Sequence, residues 1–173
     1  MLSESPTLHM LCGKIASGKS TMAARLGTAP GTVLIDEDVW LDALFADELH
    51  SLKDYVRCSS KLRSVMVPHV VTLLDAGVSV VLDFPANTVV QRAWMREILA
   101  AANAAHQLHV FDVSDEVCLA RLRARNAAGD HPFTVTEAQF HQFSSHFTVP
   151  TSKEGFDLVV HNDAYDEVTQ KHP

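Results

Sequence analysis

The sequence predicts an α/β fold in which helices cover both faces of a five-stranded parallel sheet. Short runs of apolar residues alternate along the chain with segments whose apolar residues recur at helical spacing. Strands that are separated by helices pair in parallel, and such a sheet is buried on both faces. Polar residues gather just after several of the apolar runs, which is where sheets of this kind place their ligands.

The strands are apolar runs bounded by turn residues. A glycine-rich turn follows the first, Pro30 and Gly31 precede the second, and Gly77 and Gly155 precede the third and the fifth. Runs of this length without polar alternation are typical of strands that are covered on both faces. The predicted strands are residues 8–12, 32–35, 78–82, 107–111 and 156–160.

The helices are indicated by apolar residues three and four positions apart and by capping residues. Residues 62–73 and 90–99 keep this spacing, and Pro68 either kinks the first of these helices or begins it late. Ser114 is expected to cap the next helix. Thr136, with a glutamine three residues later, has the pattern of a capping box at the start of another.

The most specific motif is the segment 13–20, GKIASGKS, which fits the phosphate-binding pattern G-x-x-x-x-G-K-[S/T]. A predicted strand precedes it and a predicted helix follows it, which is the context that the pattern requires. The glycines allow backbone N–H groups to face phosphate oxygens, and the helix directs its positive end toward them. Lys19 adds a positive charge and Ser20 offers a hydroxyl group to Mg²⁺. We therefore expect ATP and Mg²⁺ as ligands, with contacts from Gly13, Lys14, Ala16, Ser17, Gly18, Lys19, Ser20 and Thr21.

Length and composition predict one soluble globular domain over residues 1–173, with 47% hydrophobic and 20% charged residues. No apolar run approaches the roughly 18 residues of a membrane span, and the first residues do not resemble a secretory signal. Cys12, Cys58 and Cys118 are far apart, which favours reduced thiols in the cytoplasm. A net charge of −7 disfavours a broad nucleic-acid-binding surface and leaves room for a local basic pocket.

Three consecutive acidic residues, Asp36, Glu37 and Asp38, follow the second predicted strand. Phosphoryl transfer to a hydroxyl group requires a carboxylate that orients the hydroxyl and accepts its proton. Three carboxylates buried together would repel one another, so we expect one or two to face the site and the rest to face water. The alternative is that Asp36 caps a helix that begins near Val39.

Asp83 ends the third predicted strand, and Asn87 follows in the loop to the next helix. An aspartate after a hydrophobic strand commonly holds Mg²⁺ or its water shell in proteins with this phosphate-binding loop. The alternatives are that Asp83 contacts the acceptor or that it caps the turn before Pro85. We expect Asp83 to serve the metal or the acceptor, and Asp36 and Asn87 to contact the acceptor.

Three arginines, Arg121, Arg123 and Arg125, stand alone in a long stretch without other Lys or Arg residues. Arg121 and Arg125 are four positions apart and share a helix face, whereas Arg123 points elsewhere. Guanidinium groups stabilise the negative charge of a transferred phosphoryl group. We expect residues 121–135 to form a lid that closes over ATP and carries a catalytic arginine, with residues 126–135 mobile before ATP binds. The alternative is a solvated helix face.

The remaining candidates carry weaker signals. His161 and Asn162 follow the fifth predicted strand, at a position where an adenine ring could sit. The ten histidines show no metal-ligand spacing, so we expect them to be structural or at the surface. Trp40 and Trp94 occupy helix positions that are typical of core aromatic residues.

Together these motifs resemble the small P-loop kinases grouped with the 5′-kinase domain of phage polynucleotide kinase, the zeta toxins and chloramphenicol phosphotransferase. The resemblance covers most of the chain. It implies a P-loop nucleoside triphosphate hydrolase fold with strand order 2-3-1-4-5, flanking helices, a small helical lid and an acceptor pocket opposite ATP. The segment 35–40, IDEDVW, matches the family's aspartate at the helix after strand two, which implies Asp38 rather than Asp36 as the catalytic base.

The same resemblance extends to two later positions. Asp83 matches the aspartate after strand three, and Arg121 and Arg125 match the paired lid arginines, which implies Arg125 as the transition-state residue with help from Arg121. In the polynucleotide kinases that aspartate is followed closely by Thr-Asn. Here the segment 83–87 is DFPAN, which argues against a nucleic-acid acceptor.

The expected activity is ATP-dependent phosphorylation of a hydroxyl group on a small molecule, such as an antibiotic, a nucleotide sugar or another metabolite. One alternative is a nucleic-acid 5′-hydroxyl kinase, which needs a basic, aromatic-lined groove; Arg57, Lys61 and Arg63 are the only cluster that could build one. Another alternative is a switch protein that binds or slowly hydrolyses ATP without any acceptor.

Overall fold

Five parallel strands form the centre of the molecule in a computed structural model that describes residues 5–129 and 134–162. The strands lie in the order β2-β3-β1-β4-β5, which confirms the predicted order 2-3-1-4-5. Every neighbouring pair is parallel, as strands connected through helices require. Their bounds are Thr7–Cys12 for β1, Thr32–Asp36 for β2, Ser79–Pro85 for β3, Ala105–Asp112 for β4 and Leu158–Asn162 for β5.

Six α-helices connect or follow the strands in the described part of the chain. Ser114 caps one of them by accepting a hydrogen bond from the Val117 N–H, and Thr136 forms a capping box with Gln139, as the sequence predicts. The capping box of Thr88 with Gln91 begins a third. The bounds are Lys19–Gly27 for α1, Glu37–Phe45 for α2, Leu52–Asp75 for α3, Val89–Ala101 for α4, Asp115–Ala128 for α5 and Glu137–Ser144 for α6.

The element bounds differ from the predicted ones in ways that bear on the site. β3 continues to Pro85, so Asp83 lies inside the strand rather than at its end. β5 begins and ends two residues later than predicted, so His161 lies within it. Pro68 lies in the interior of α3, which begins at Leu52, so the proline does not start that helix.

Two hydrophobic clusters cover the two faces of the sheet, because alternate residues of each strand point to opposite sides. Leu8 and Met10 of β1 face the larger cluster, which α2, α3 and α4 cover. Leu11 of β1 faces the smaller cluster, where it packs with Met22 of α1 and Leu122 of α5. The helix that carries the predicted lid arginines therefore lies on the same face as the helix that follows the phosphate-binding segment.

The three cysteines match the expectation of reduced thiols. Cys12, Cys58 and Cys118 are each buried and free of disulfide bonds. Burial raises the pKa of the Cys12 thiol to about 11, which keeps it protonated and unreactive near neutral pH. None of the helices in the described ranges is long and apolar enough to cross a membrane.

A fully buried arginine, Arg92, joins α4 to the segment that precedes β5. Its Nε and Nη2 atoms donate to the two carboxylate oxygens of Glu154 at 2.6 and 3.1 Å. Its Nη1 donates to the backbone oxygens of Ala86 and Thr148, each at 2.9 Å. Because the side chain has no exposed area, these bonds replace the water that the guanidinium group loses on folding.

We predict that Arg92→Met lowers the free energy of unfolding by about 3 kcal/mol or more, because it leaves buried carbonyl oxygens without their donors. Denaturant titration followed by circular dichroism measures the change. Arg123→Met is the control: it also breaks an arginine–glutamate pair, but both partners are exposed and the loss should be far smaller. Equal losses from the two variants would contradict this account of Arg92.

Candidate active site

The phosphate-binding segment forms the turn between β1 and α1, and its first glycine is sterically required. A Cβ atom at Gly13 would lie 2.5 Å from the Ser17 Oγ and 2.9 Å from the Phe111 Cβ, closer than any normal contact. The Gly13 N–H donates to the Asn87 Oδ1 at 2.9 Å. Asn87, which the sequence predicts to contact the substrate that receives the phosphate, therefore anchors the turn from the loop after β3.

Two residues of the turn have left-handed backbone conformations. Gly18 has a φ of 105°, which glycine adopts at little cost. Ala16 has a φ of 60° and is the only non-glycine residue with positive φ in the described ranges. Strain of this kind persists only where surrounding contacts enforce it, and it is common at ligand sites. One such contact is the hydrogen bond from the Ser17 N–H to the Lys14 carbonyl oxygen at 3.2 Å.

The Lys19 ammonium group is drawn into the turn. Its Nζ donates to the backbone oxygens of Gly13 and Lys14, each at 2.7 Å. Burial lowers the pKa of Lys19 below its ordinary value, and the negative charge of Asp83 opposes that change. The side chain of Lys14 instead pairs with Asp115 at the start of α5.

The polar groups of the turn fit the phosphates of a nucleotide. The Ser17 Oγ is buried and has no hydrogen-bond partner among the described residues, which leaves a donor available to a phosphate oxygen. The Lys19 ammonium group can exchange its two carbonyl partners for phosphate oxygens while it remains within the turn. Ser20 and Thr21, in the first turn of α1, are exposed to solvent.

Ser20 and Asp83 supply oxygen atoms that suit a magnesium ion. The two side chains form a hydrogen bond, and this bond partly offsets the rise that burial causes in the Asp83 pKa. A hydroxyl and a carboxylate are ligands that Mg²⁺ prefers, and it completes its shell with waters and phosphates. No cluster of three or more His, Cys, Asp or Glu side chains that could hold a metal occurs among residues 5–129 and 134–162.

The acidic triplet is divided among three roles. Asp36 caps α2 by accepting a hydrogen bond from the Val39 N–H at 3.1 Å, so the helix begins at Glu37 and not near Val39. The expectation that carboxylates outside the site face water is wrong for Glu37. It is 2% exposed, and it accepts hydrogen bonds from the Tyr55 hydroxyl and the Arg63 guanidinium group.

Asp38 and Arg125 act on each other across the site. Both are half-buried, and the charge of Asp38 opposes the fall that burial causes in the Arg125 pKa. The Arg125 Nε is buried and has no hydrogen-bond partner within the described part of the chain. Asp38 also contributes to the raised pKa of Asp83, while Arg125 lowers the pKa of Lys19. These four side chains are therefore close enough to one another, beside the phosphate-binding turn, for their charges to interact.

The three arginines of α5 separate as their spacing predicts. The Arg121 Nη1 donates to the Ser17 backbone oxygen at 3.4 Å, so it reaches the turn. Arg123 is exposed and pairs with Glu137 of α6 at 2.6 Å. Arg121 and Arg125 thus face the site, whereas Arg123 links α5 to α6 away from it.

The predicted lid is only partly an irregular segment. Residues 121–128 continue the regular helix α5, which begins at Asp115. The Asn126 Nδ2 donates to the Val135 backbone oxygen at 2.8 Å, joining the two sides of the loop. Residues 130–133 lie outside the described residues, so the mobility expected for 126–135 stays a prediction.

A row of three histidines crosses the sheet, and the sequence reasoning did not find it. The His9 Nδ1 and the His109 Nε2 are 3.2 Å apart, and the His109 Nδ1 and the His161 Nε2 are 3.0 Å apart. Burial lowers the pKa of His109 to about 4, so this central histidine is uncharged near neutral pH. The His161 ring stacks on Phe111. The expected structural role of the histidines fits this row, and the adenine position near His161 stays a prediction.

The sequence matches the family model described as an AAA domain over residues 8–150. That span includes the phosphate-binding turn, Asp38, Asp83 and Arg125. None of the curated proteins compared with the chain matches it.

Solved structures share the fold at low identity. A Chloroflexus aurantiacus protein that is named as a kinase has a TM-score of 0.72 at 20% identity, over 95% of this chain and 88% of its own. The APS kinase CysC of Mycobacterium tuberculosis, solved with AMPPNP and APS, has a TM-score of 0.62 at 22% identity, over 97% of this chain and 95% of its own. A chain of the Pnkp1/Rnl/Hen1 RNA repair complex has a TM-score of 0.64 at 22% identity, over 89% of this chain and 47% of its own.

At these identities the structural comparisons establish a common fold, and the family rests on the match to the sequence model. The fold, the phosphate-binding turn and the matched span all agree. The chain belongs to this AAA domain family, which is the family of small P-loop kinases that its motifs resemble.

Proposed function

We propose that the protein is an ATP-dependent phosphotransferase that moves the γ-phosphate of ATP to a hydroxyl group of a small molecule. The acceptor is an antibiotic, a nucleotide sugar or another hydroxylated metabolite. The observation that carries this proposal is the grouping of a carboxylate, Asp38, and a guanidinium group, Arg125, beside the same phosphate-binding turn. A protein that only binds ATP needs neither a base nor an arginine at that place.

The chemistry assigned to each side chain follows from its position. The backbone N–H groups of the turn, with Ser17 and Lys19, hold the triphosphate. Asp38 accepts the proton of the acceptor hydroxyl as its oxygen bonds to the γ-phosphorus. The bond between that phosphorus and the β,γ-bridging oxygen breaks, and ADP leaves with a phosphomonoester as the other product. Arg125, assisted by Arg121, neutralises the charge on the transferred group.

Mg²⁺ is part of the proposal, and Ser20 and Asp83 are the residues that would hold it. When bound, it supplies positive charge to the phosphate oxygens. The pKa of Asp83 is raised by burial and by the nearby charges of Asp36 and Asp38, so its carboxylate is poorly balanced by the protein alone. A divalent cation would relieve that imbalance.

The charges on α3 support a small acceptor over a nucleic acid. Arg57 pairs with Glu48 at 2.7 Å, and Arg63 pairs with the buried Glu37 at 3.2 Å. Two of the three cations that could bind a phosphate backbone are therefore already paired with carboxylates of the protein itself, one pair exposed and one buried. A groove of about 570 Å³ between α3 and α4 is lined by Arg63, Trp94 and Glu97 together with small residues, so its charge is balanced as well.

The acceptor class is tested by measuring ADP formation with Mg²⁺ and ATP against two sets of acceptors. One set contains hydroxylated antibiotics, sugars and nucleotide sugars; the other contains 5′-hydroxyl oligonucleotides. We expect stimulation above the rate in water from a member of the first set, with the phosphomonoester detected by mass spectrometry. Stimulation by oligonucleotides alone would favour the nucleic-acid kinase, and turnover that no acceptor changes would favour the switch protein.

We predict that Asp38→Asn lowers kcat by about 100-fold or more while the KM for ATP changes little, because the base acts on the acceptor. Steady-state kinetics measure both constants. Asp36→Asn is a matched control, because asparagine caps a helix about as well as aspartate. A larger loss from Asp36→Asn than from Asp38→Asn would move the base to Asp36.

We predict that Arg125→Ala lowers kcat by about 1,000-fold at nearly constant ATP affinity, because its contact forms mainly in the transition state. Arg123→Ala removes the same charge from the same helix but breaks only an exposed pair, so it should keep most of the activity. Single-turnover rates and nucleotide titrations separate the two effects. Similar losses in both variants would mean that the arginines contribute only a general positive potential and that Arg125 has no specific catalytic role.

A further inference from the structure

We propose that Glu37 is a positioning residue, held by Tyr55 and Arg63 of α3, that fixes the direction in which Asp38 faces the phosphate-binding turn. The proposal rests on the proposed function, because it concerns the base of that reaction. Glu37 itself cannot touch a substrate, since it is 2% exposed. Its effect must therefore pass through the backbone of α2.

The carboxylate of Glu37 is held at both of its oxygens. The Tyr55 hydroxyl donates to Oε2 at 2.8 Å, and the Arg63 Nη2 donates to Oε1 at 3.2 Å. Burial is the largest effect on Glu37 and raises its pKa, while Arg63 and the Tyr55 hydroxyl oppose the rise. Burying a carboxylate is costly, and a buried ion pair is often no more stabilising than apolar residues of similar volume, so stability alone does not explain this arrangement.

A positioning role follows from where Glu37 lies in α2. It is the first residue of a nine-residue helix, directly before Asp38. Successive side chains of a helix point about 100° apart, so fixing Glu37 against α3 also fixes the direction of Asp38. The Asp36 cap fixes the backbone bonds of the same turn but not its rotation against α3.

The same contacts connect the base to the phosphate-binding turn. The Arg63 guanidinium carbon lies 5.7 Å from the Trp94 ring centroid, and the Trp94 Nε1 donates to the Arg63 backbone oxygen at 3.2 Å. Trp94 belongs to α4, and Asn87, just before that helix, accepts the Gly13 N–H. A continuous set of contacts thus joins the segment that holds Asp38 to the turn that holds the phosphates.

The charged or titratable groups with the largest effects on the Glu37 pKa are Arg63, Tyr55 and Asp38. Asp38 in turn acts on Arg125 and Asp83. Tyr55→Phe removes one hydrogen bond and no formal charge, so it disturbs the placement of Asp38 with less change to its electrostatic surroundings than the loss of the Arg63 cation causes.

The test measures the Mg·ATP hydrolysis rate in water, which needs no identified acceptor, together with the affinity for AMPPNP. We expect Tyr55→Phe to lower kcat by about 10-fold and Arg63→Met by about 100-fold, since small misplacements of reacting groups cost this much. The affinity for AMPPNP should stay within about twofold of wild type, because these residues do not touch the nucleotide site. Arg63→Lys should recover part of the loss, since it restores a cation near Glu37.

Arg57→Met is the matched control on the same helix, because Arg57 pairs with Glu48 and Asp54 in exposed positions. It should leave kcat unchanged. If Tyr55→Phe and Arg63→Met also leave kcat unchanged while Asp38→Asn abolishes turnover, the positioning role is refuted and the proposed function stands. If the two variants lose AMPPNP affinity in proportion to kcat, the contacts only maintain the fold, which also refutes it. If Asp38→Asn keeps wild-type turnover, the proposed base and its positioning residue fall together.

Discussion

The ammonium group of Lys19, drawn in among backbone oxygens, is the interaction on which the rest of the site depends. An uncompensated cation in this position would be costly, and the carbonyls of Gly13 and Lys14 compensate it at 2.7 Å each. Those carbonyls converge only because the chain at Gly13 can pass within contact of Ser17, which any side chain would prevent. The loop is thereby held in a form that phosphate oxygens can enter by replacing the carbonyls, with no new backbone conformation required.

The topology brings the other functional groups to that loop. β1 lies in the middle of the sheet, with β3 and then β2 on one side and β4 on the other. The carboxyl ends of these four strands meet at one edge, which is where open α/β sheets bind ligands. Asp36 of β2 lies in register with Asp83 of β3, and α5 follows β4, so acids approach from one side and arginines from the other. The proposed transfer to a hydroxyl group would use both, since a carboxylate would take the proton and an arginine would neutralise the charge of the phosphoryl group.

The sequence predicted the parts of the fold and site that depend on local pattern. Strand order came from the family resemblance, and the facing of Arg121 and Arg125 away from Arg123 came from helical spacing alone. Burial was harder to predict, because it depends on which elements meet in space. Glu37 was expected to face water beside the proposed base, but Tyr55 and Arg63 of α3 bind its carboxylate in the interior. The histidine row and the burial of Arg92 were not predicted for the same reason, because their side-chain partners lie about 50 to 100 residues away in the chain.

Binding of a non-hydrolysable ATP analogue, measured by calorimetric titration in wild type and in Lys19→Ala, tests the central claim most directly. Because the ammonium group gives up its carbonyl partners to phosphate, the account predicts that the variant binds about 10- to 100-fold more weakly at an unchanged melting temperature. Lys61→Ala, which removes an exposed cation from α3, should bind like wild type. Equal affinities in wild type and a well-folded Lys19→Ala protein would contradict the account, since the turn would then not be the phosphate site.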